Sequence, residues 1–440
     1  MANNFKAGAA QTDISPKDSQ FLFGYPHVKR YSTGIHDRLW SSALYLSDGK
    51  NEVMFIANDI IFVSKDQSKY IRQQISKQIP IKPENIMVTA THTHSGPITL
   101  DYISNEADPV VPKTDTKYVK FMQEQIIKAA VNAYNSAEPA KVGLAIADDT
   151  GVGTNRRNPN GPADHNVPVM VVKNLSGNKN IACMLVCSMH PTVLHEDSTL
   201  VSGDFPGLSR IYLQENVLGK DCPVLHHTGP AGNQSPRHVT KANTFDEAKR
   251  LGEILGKAAE KAIEKIEYQS DLTIKASDIL LNDLPKRTFP AVDEASCKLN
   301  KSVNRLKMLR ETKASSQEIR TAECDWFGAE ETLTLSKAAA DGRLEKAYPI
   351  CLPAEIQVFK VGKWNFVGWQ GEIFIEYALE IKKQSPNTFV ISVANGEMQG
   401  YIVTKEAFDE GGYEASNAMF SYEAGEIFVD KTLEILDELK

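Results

Sequence analysis

Residues 86–97 read Ile86-Met87-Val88-Thr89-Ala90-Thr91-His92-Thr93-His94-Ser95-Gly96-Pro97. The first five are apolar or β-branched and are bounded by polar residues, which predicts a short buried strand over 86–90. Two histidines follow as soon as that run ends. In α/β proteins sites gather beyond the carboxyl ends of strands, so this stretch indicates a fold class and a site together. On an extended backbone, residues two apart point the same way. His92 and His94 are therefore expected to face one space. There two imidazoles can share a metal, or one can bind it while the other moves protons.

Working outward, residues 53–62 predict another strand, and Ser64 with Gln67 predicts a capping box opening a helix. Ile71, Ile75 and Ile79 give that helix one apolar face before Pro80 stops it. Helix over 118–134 and strands over 142–147, 169–172, 181–187 and 223–226 follow. Thr244 and Glu247 predict a second capping box, starting a helix that runs towards Ile266. The alternation points to α/β, a mostly parallel or mixed sheet with flanking helices. Residues 293–340 are rich in Lys, Glu, Ala and Arg with leucines at helical spacing, and predict a helical hairpin inserted at 292–341. Strands are expected again at 354–360, 364–368 and 388–394, and a terminal helix at 423–439. With no repeats and no low-complexity linker, residues 1–440 are expected to form a single domain.

Composition narrows the function. The 440 residues are 42% hydrophobic and 24% charged, and the net charge of -7 disfavours nucleic acid or an anionic membrane as partner. No apolar stretch is long enough to span a bilayer. The N-terminal segment carries no basic start followed by an apolar core, so no signal peptide is expected. The six cysteines (183, 187, 222, 297, 324, 351) are scattered and expected to be reduced. A cytoplasmic location follows as an expectation.

Two further strand ends carry histidine, in a chain with only ten. After residues 181–187 come Ser188-Met189-His190-Pro191, then His195, Glu196 and Asp197. His190 is the natural second ligand, while His195 and Glu196 read better as a solvated loop than as groups orienting the site. Residues 226–229 read His226-His227-Thr228-Gly229, and adjacent histidines point to opposite faces, so at most one of that pair can join. Ser235, in Gly232-Asn233-Gln234-Ser235-Pro236-Arg237, has no nucleophile-elbow glycines around it. These residues point to a hydrolytic metal site and leave the carboxylate ligand open among 56 acidic residues.

An ordered series of motifs resembles the catalytic domain of the neutral/alkaline non-lysosomal ceramidases. It comprises Gly34-Ile35-His36-Asp37-Arg38, Asp59, Thr91–Pro97, Asn155-Arg156, Ser202-Gly203-Asp204, Ser235-Pro236, Gly371-Glu372, Tyr401-Ile402-Val403-Thr404 and Gly412-Tyr413-Glu414-Ala415. Carried over by motif, the resemblance implies one zinc per chain held by His92, His190, Glu372 and Tyr401. It assigns proton transfer to His94 and a pocket lining that binds substrate oxygen to Arg156 and Ser235, with Tyr413 nearby. Taken alone, Glu372 reads equally as an acidic residue near the start of a helix over 373–383, and Tyr401 as a half-buried aromatic. Three segments depart from the family pattern: Ser202–Gly207, Gln370-Gly371-Glu372 and Gly232–Arg237. The C-terminal immunoglobulin-like domain of that family is not expected.

The resemblance implies hydrolysis of an N-acyl amide, in ceramide or a smaller N-acyl substrate, by metal-activated water. Rival readings are a metal-dependent esterase, a lyase or epimerase acting on a polar small molecule, or a non-catalytic metal-binding relative.

Overall fold

A computed structural model of the protein describes residues 4–440, apart from the side chains of residues 316 and 317; the first three residues of the N-terminal segment lie outside it. The main sheet has eight strands: β1 (Lys6–Asp13), β2 (Trp40–Ser47), β3 (Glu52–Asn58), β4 (Ile86–Ala90), β5 (Glu138–Asp148), β6 (Asn166–Asn174), β7 (Asn180–Cys187) and β8 (Val224–Thr228). Their spatial order is β8-β7-β6-β5-β1-β2-β3-β4. The sheet is mixed, but only its outermost pairs, β3 with β4 and β7 with β8, run parallel. Every inner pair is antiparallel. The local cause at the β2–β3 hairpin is a tight turn, in which the Asp48 carboxylate accepts from the amides of Lys50 and Asn51. Within this sheet the parallel strand–helix–strand units lie at the two edges, and His92 and His190 follow strands of those edges.

A second sheet of four strands, β9 (Ile274–Leu281), β10 (Ala354–Val361), β11 (Trp364–Trp369) and β12 (Thr388–Ile391), packs against the first. Side chains alternate along β3: Met54 and Ile56 face the helices Lys65–Ser76 and Thr116–Asn135, while Val53, Phe55 and Ala57 face the second sheet. Phe55 meets Phe359 and Phe366 edge-on at 5.3 and 5.4 Å between ring centroids. On the other half of the sheet, Val169, Val171, Cys183 and Leu185 pack under the helices Asp204–Leu213 and Phe245–Ile263. The far side of the second sheet is covered by the helices Ile375–Gln384 and Glu423–Glu438. The result is four layers, helix–sheet–sheet–helix. Both faces of β3, β4 and β7 are covered, which explains why these strands read as continuous apolar runs.

Ser64 and Gln67 form the expected reciprocal capping box. Thr244 caps its helix through the Glu247 amide, but the Glu247 carboxylate turns away to the Lys241 amide and Arg250, so the second box is only half made. Residues 292–340 form the expected hairpin, Val292–Glu311 and Ser316–Ala340, and its second helix lies against Tyr413–Asn417. All six cysteines are free, four of them buried. Among the described residues no helix is long and apolar enough to cross a membrane.

Candidate metal centre

His92 stands two residues past the end of β4, with its amide bonded to the Ile60 carbonyl and its backbone at φ 65°. That left-handed conformation is uncommon outside glycine and is tolerated where neighbouring structure fixes it. The chain then doubles back through the Thr93 hydroxyl, which donates to Ser202 O and accepts from the Ser95 amide. His92 and His94 do meet, with Nε2 atoms 3.3 Å apart. The cause is this turn and not the alternation of an extended strand. His190 follows β7, and Glu372 follows Gly371, whose φ of 79° suits glycine. A two-residue parallel pairing sets Glu372 beside Tyr401.

His92 Nε2 lies 3.1 Å from His190 Nε2, and Glu372 Oε2 lies 3.0 Å from His190 Nε2 and 3.2 Å from His92 Nε2. His92 Nδ1 faces the Ile61 carbonyl at 2.9 Å, and His190 Nδ1 faces the Ala231 carbonyl at 2.5 Å. A carbonyl only accepts, so each Nδ1 carries the proton and each Nε2 presents a bare lone pair. Acceptors thus face acceptors in a buried space, an arrangement that a cation among them would relieve. Donors about 2.0–2.2 Å from a tetrahedral zinc stand roughly 3.3–3.5 Å apart, close to the spacings here, and two imidazoles with a carboxylate are an ordinary catalytic donor set. These residues fit a metal.

Burial alone would raise the Glu372 carboxyl, but His92 and His190 hold it well below the usual carboxylate range. Burial, then Arg156, pushes His190 down to about 4. Burial and the two neighbouring imidazoles hold His94 well below the usual histidine range. His94 therefore stays neutral at pH 7. Burial, then Glu372, keeps the Tyr401 phenol well above its ordinary range.

A cavity of about 520 Å³ opens over the cluster, and its wall includes His92, His94, Glu372, Tyr401 and Tyr413 with the aromatic rings of Phe23, Tyr25, Phe62 and Tyr102. Arg156 and Ser235, expected on this wall, are not among its lining residues. The Arg156 guanidinium lies 5.4 Å from the Tyr401 ring centre, anchored by Glu414 at 2.8 Å and the Gly232 carbonyl at 2.7 Å. The Ser235 hydroxyl accepts from the Arg237 amide and caps the turn Pro236–His238. Neither His226 nor His227 joins the cluster: His227 Nδ1 pairs with Thr89 Oγ1 at 2.8 Å, and His226 meets Phe205 edge-on. His195 and Glu196 are half-buried rather than solvated. They pair with each other, Glu196 also meets Arg320, and Tyr25 packs between His195 and His94. The cavity also holds Glu331, Asn105 and Asn417, which no local sequence signal marks.

The family profile described as neutral/alkaline non-lysosomal ceramidase, N-terminal, matches residues 5–228. The chain belongs to this family. Among relatives, the neutral ceramidase of Pseudomonas aeruginosa is 22% identical over 293 residues, covering 60% of this chain and 44% of that one. Neutral ceramidase B of Dictyostelium discoideum is 22% identical over 246 residues, 49% of this chain and 32% of its own length. The chain thus spans less than half the length of these curated relatives. The crystal structure of the Pseudomonas aeruginosa neutral ceramidase superposes with a TM-score of 0.78 at 16% identity, over 100% of this chain and 75% of that one. A structure described as ceramidase complexed with C2 gives 0.75 at 17% identity, over 99% and 76%. The ceramidase fold therefore covers the whole described chain, well beyond the region in which the family is recognised by sequence.

Proposed function

We propose that this chain is a zinc-dependent hydrolase of N-acyl amides, acting on ceramide or a smaller N-acyl substrate. The observation that carries this reading is the convergence of two bare Nε2 lone pairs and the Glu372 carboxylate beneath an aromatic cavity. Membership of a ceramidase family points to the amide bond. His92, His190 and Glu372 would hold the ion, with the Tyr401 phenol as fourth donor. Bound there, zinc supplies a Lewis acid that polarises a carbonyl and lowers the pKa of water from 15.7 to about 7.

The chain's own residues do the rest. Neutral His94 takes a proton and delivers it to the departing amine nitrogen. Arg156, held under the Tyr401 ring, draws that phenol's pKa down and fixes its position. Ser235, by capping its turn, steadies the loop whose Ala231 and Gln234 carbonyls hold the His190 ring. The aromatic wall keeps water from the site and takes the apolar part of the substrate.

Ceramide, simple N-acyl amides and carboxylic esters assayed side by side test this reading. Amide turnover that a chelator abolishes and zinc restores is the expected result. Ester turnover without amide turnover would favour the esterase reading, and no turnover with metal retained the binding-protein one.

A second reading has a specific observation behind it. Donor atoms of His92, His94 and His190 lie within 4.8 Å of one another, which makes His94 a candidate third ligand in place of a proton carrier. His94→Ala separates the two, keeping metal in the first reading and losing it in the second.

Gly24 backs directly onto His94. Its φ is 116°, and a Cβ there would come 2.3 Å from His94 Nδ1. Gly24→Ala must therefore move the imidazole, and misplacement by about 1 Å is worth roughly 100-fold in rate. Turnover falling by about that factor at unchanged zinc content is the expected outcome, read by steady-state kinetics beside elemental analysis.

A further inference from the structure

The metal centre occupies only part of the cavity, and another part of its wall is built from polar groups with no role so far. Glu331, on the helix Ser316–Ala340, is 4% exposed, and Asn417 is 7% exposed. Asn417 Nδ2 donates to Glu331 Oε2 at 2.6 Å, and Asn105 Nδ2 reaches Glu331 Oε1 at 3.3 Å. Asn417 Oδ1 is buried without a partner. All three residues line the cavity. The helix is fixed there, since the Thr332 hydroxyl donates to the Ser416 carbonyl and Gly328 sits closely against Ser416.

Burial raises the Glu331 carboxyl to about 8, with Glu330 and Glu372 adding to the rise against the two amide donors, so near pH 7 it keeps its proton. The wall then offers one unused O–H donor on Glu331 and one unused acceptor on Asn417. An ammonium only donates and a carboxylate only accepts, whereas a hydroxyl does both. A buried polar pair left unfilled by a ligand is costly, which is how a site rejects an analogue lacking the matching group.

We propose that Glu331 and Asn417 form a specificity subsite that reads a hydroxyl group on the substrate, beside the scissile amide held at the metal centre. This rests on the amide-hydrolase reading above for the place of the amide, but the binding preference itself does not require turnover. Glu331 belongs to the helical hairpin and Asn417 to the helix Tyr413–Asn417 packed against it, so the hairpin takes part in substrate selection as well as covering the site.

The test is calorimetric binding of two isosteric probes, N-(2-hydroxyethyl)hexanamide and N-propylhexanamide, to zinc-loaded wild type, Glu331→Gln and Glu331→Leu, with turnover followed in parallel. The hydroxyl probe should bind wild type about 30-fold tighter than its deoxy partner. The preference should shrink in Glu331→Gln and vanish in Glu331→Leu, with zinc content and melting temperature confirming that each variant is folded. Equal binding of the two probes to wild type, binding of neither, or a preference surviving in Glu331→Leu would overturn the subsite. So would tighter binding of N-(2-aminoethyl)hexanamide than of the hydroxyl probe, since that is the mark of a cation site. A binding preference without hydrolysis of either probe would count against the amide-hydrolase reading and leave the subsite standing.

Discussion

His190→Ala is expected to lose metal and hydrolytic activity together. The His190 ring is locked by two backbone carbonyls through Nδ1, and its Nε2 stands within 3.1 Å of both His92 Nε2 and Glu372 Oε2. Among the described residues the cluster holds only His92 and His94 besides His190, so neither His226 nor His227 can take its place. Removing even a partner one shell further out costs 10–100-fold in metal affinity or activity at such centres, so loss of a direct ligand should exceed about 100-fold. Zinc titration with a competing chelator measures it. Affinity within threefold of wild type would remove His190 from the ligand set. The protein should still fold, because the substitution leaves the backbone bonds around residue 190 in place.

The second large effect is structural and lies away from the cavity. Arg72 Nη1 bonds both carboxylate oxygens of Glu355, at 3.0 and 2.8 Å, and Arg72 Nη2 reaches Gln357 Oε1 at 3.3 Å. Gln357 is bonded in turn by Asn395 Nδ2, while Asn395 Oδ1 accepts from the Val88 amide of β4. One buried network thus ties the helix after β3, the second sheet and the histidine-bearing strand together. Burial raises the Glu355 carboxyl even with Arg72 beside it, which shows desolvation outweighing attraction. Glu355→Leu would leave Arg72 charged and unpaired, a defect worth about 3–5 kcal/mol. The double variant Arg72→Met/Glu355→Leu should recover most of that loss, since a well-packed apolar pair is often no worse than a buried ion pair. Urea unfolding of the three proteins checks both. Equal destabilisation by the single and double changes would mean that side-chain packing, not the stranded charge, sets the cost.

Much of this fold is visible in local pattern. The strand Ile86–Ala90 ends where its apolar run ends, and the Ser64–Gln67 box forms as written because both partners are local. The helical hairpin announces itself by composition and leucine spacing. Other elements escape for physical reasons. Lys6–Asp13 is rich in small residues, and its place in the sheet is fixed by antiparallel partners distant in sequence, on Trp40–Ser47 and at Glu138 and Pro139. Ile274–Leu281 is an edge strand with only its ends buried, so it shows no apolar run. Thr244 caps as expected, yet Glu247 prefers Arg250, a competition that no pattern displays.

The site divides in the same way. His92, His94 and His190 are marked by their strand ends, while Glu372 and Tyr401 could be singled out only through family resemblance, because a lone glutamate or tyrosine has ordinary structural uses. Arg156 and Ser235 belong to the surroundings of the cluster, yet their bonds run to Glu414, Gly232 and Arg237, contacts that depend on the folded chain. Glu331 stands on an alanine- and glutamate-rich helix. Only tertiary packing against Tyr413–Asn417 buries it.

The central claim is that His92, His190 and Glu372 hold a catalytic zinc. Elemental analysis of purified protein beside a His92→Ala/His190→Ala double variant tests it most directly. The account predicts about one zinc per wild-type chain and none in the variant, with amide hydrolysis lost in step. Wild type without metal, or a variant that keeps it, would contradict the account and leave this chain with the ceramidase fold but without the proposed centre.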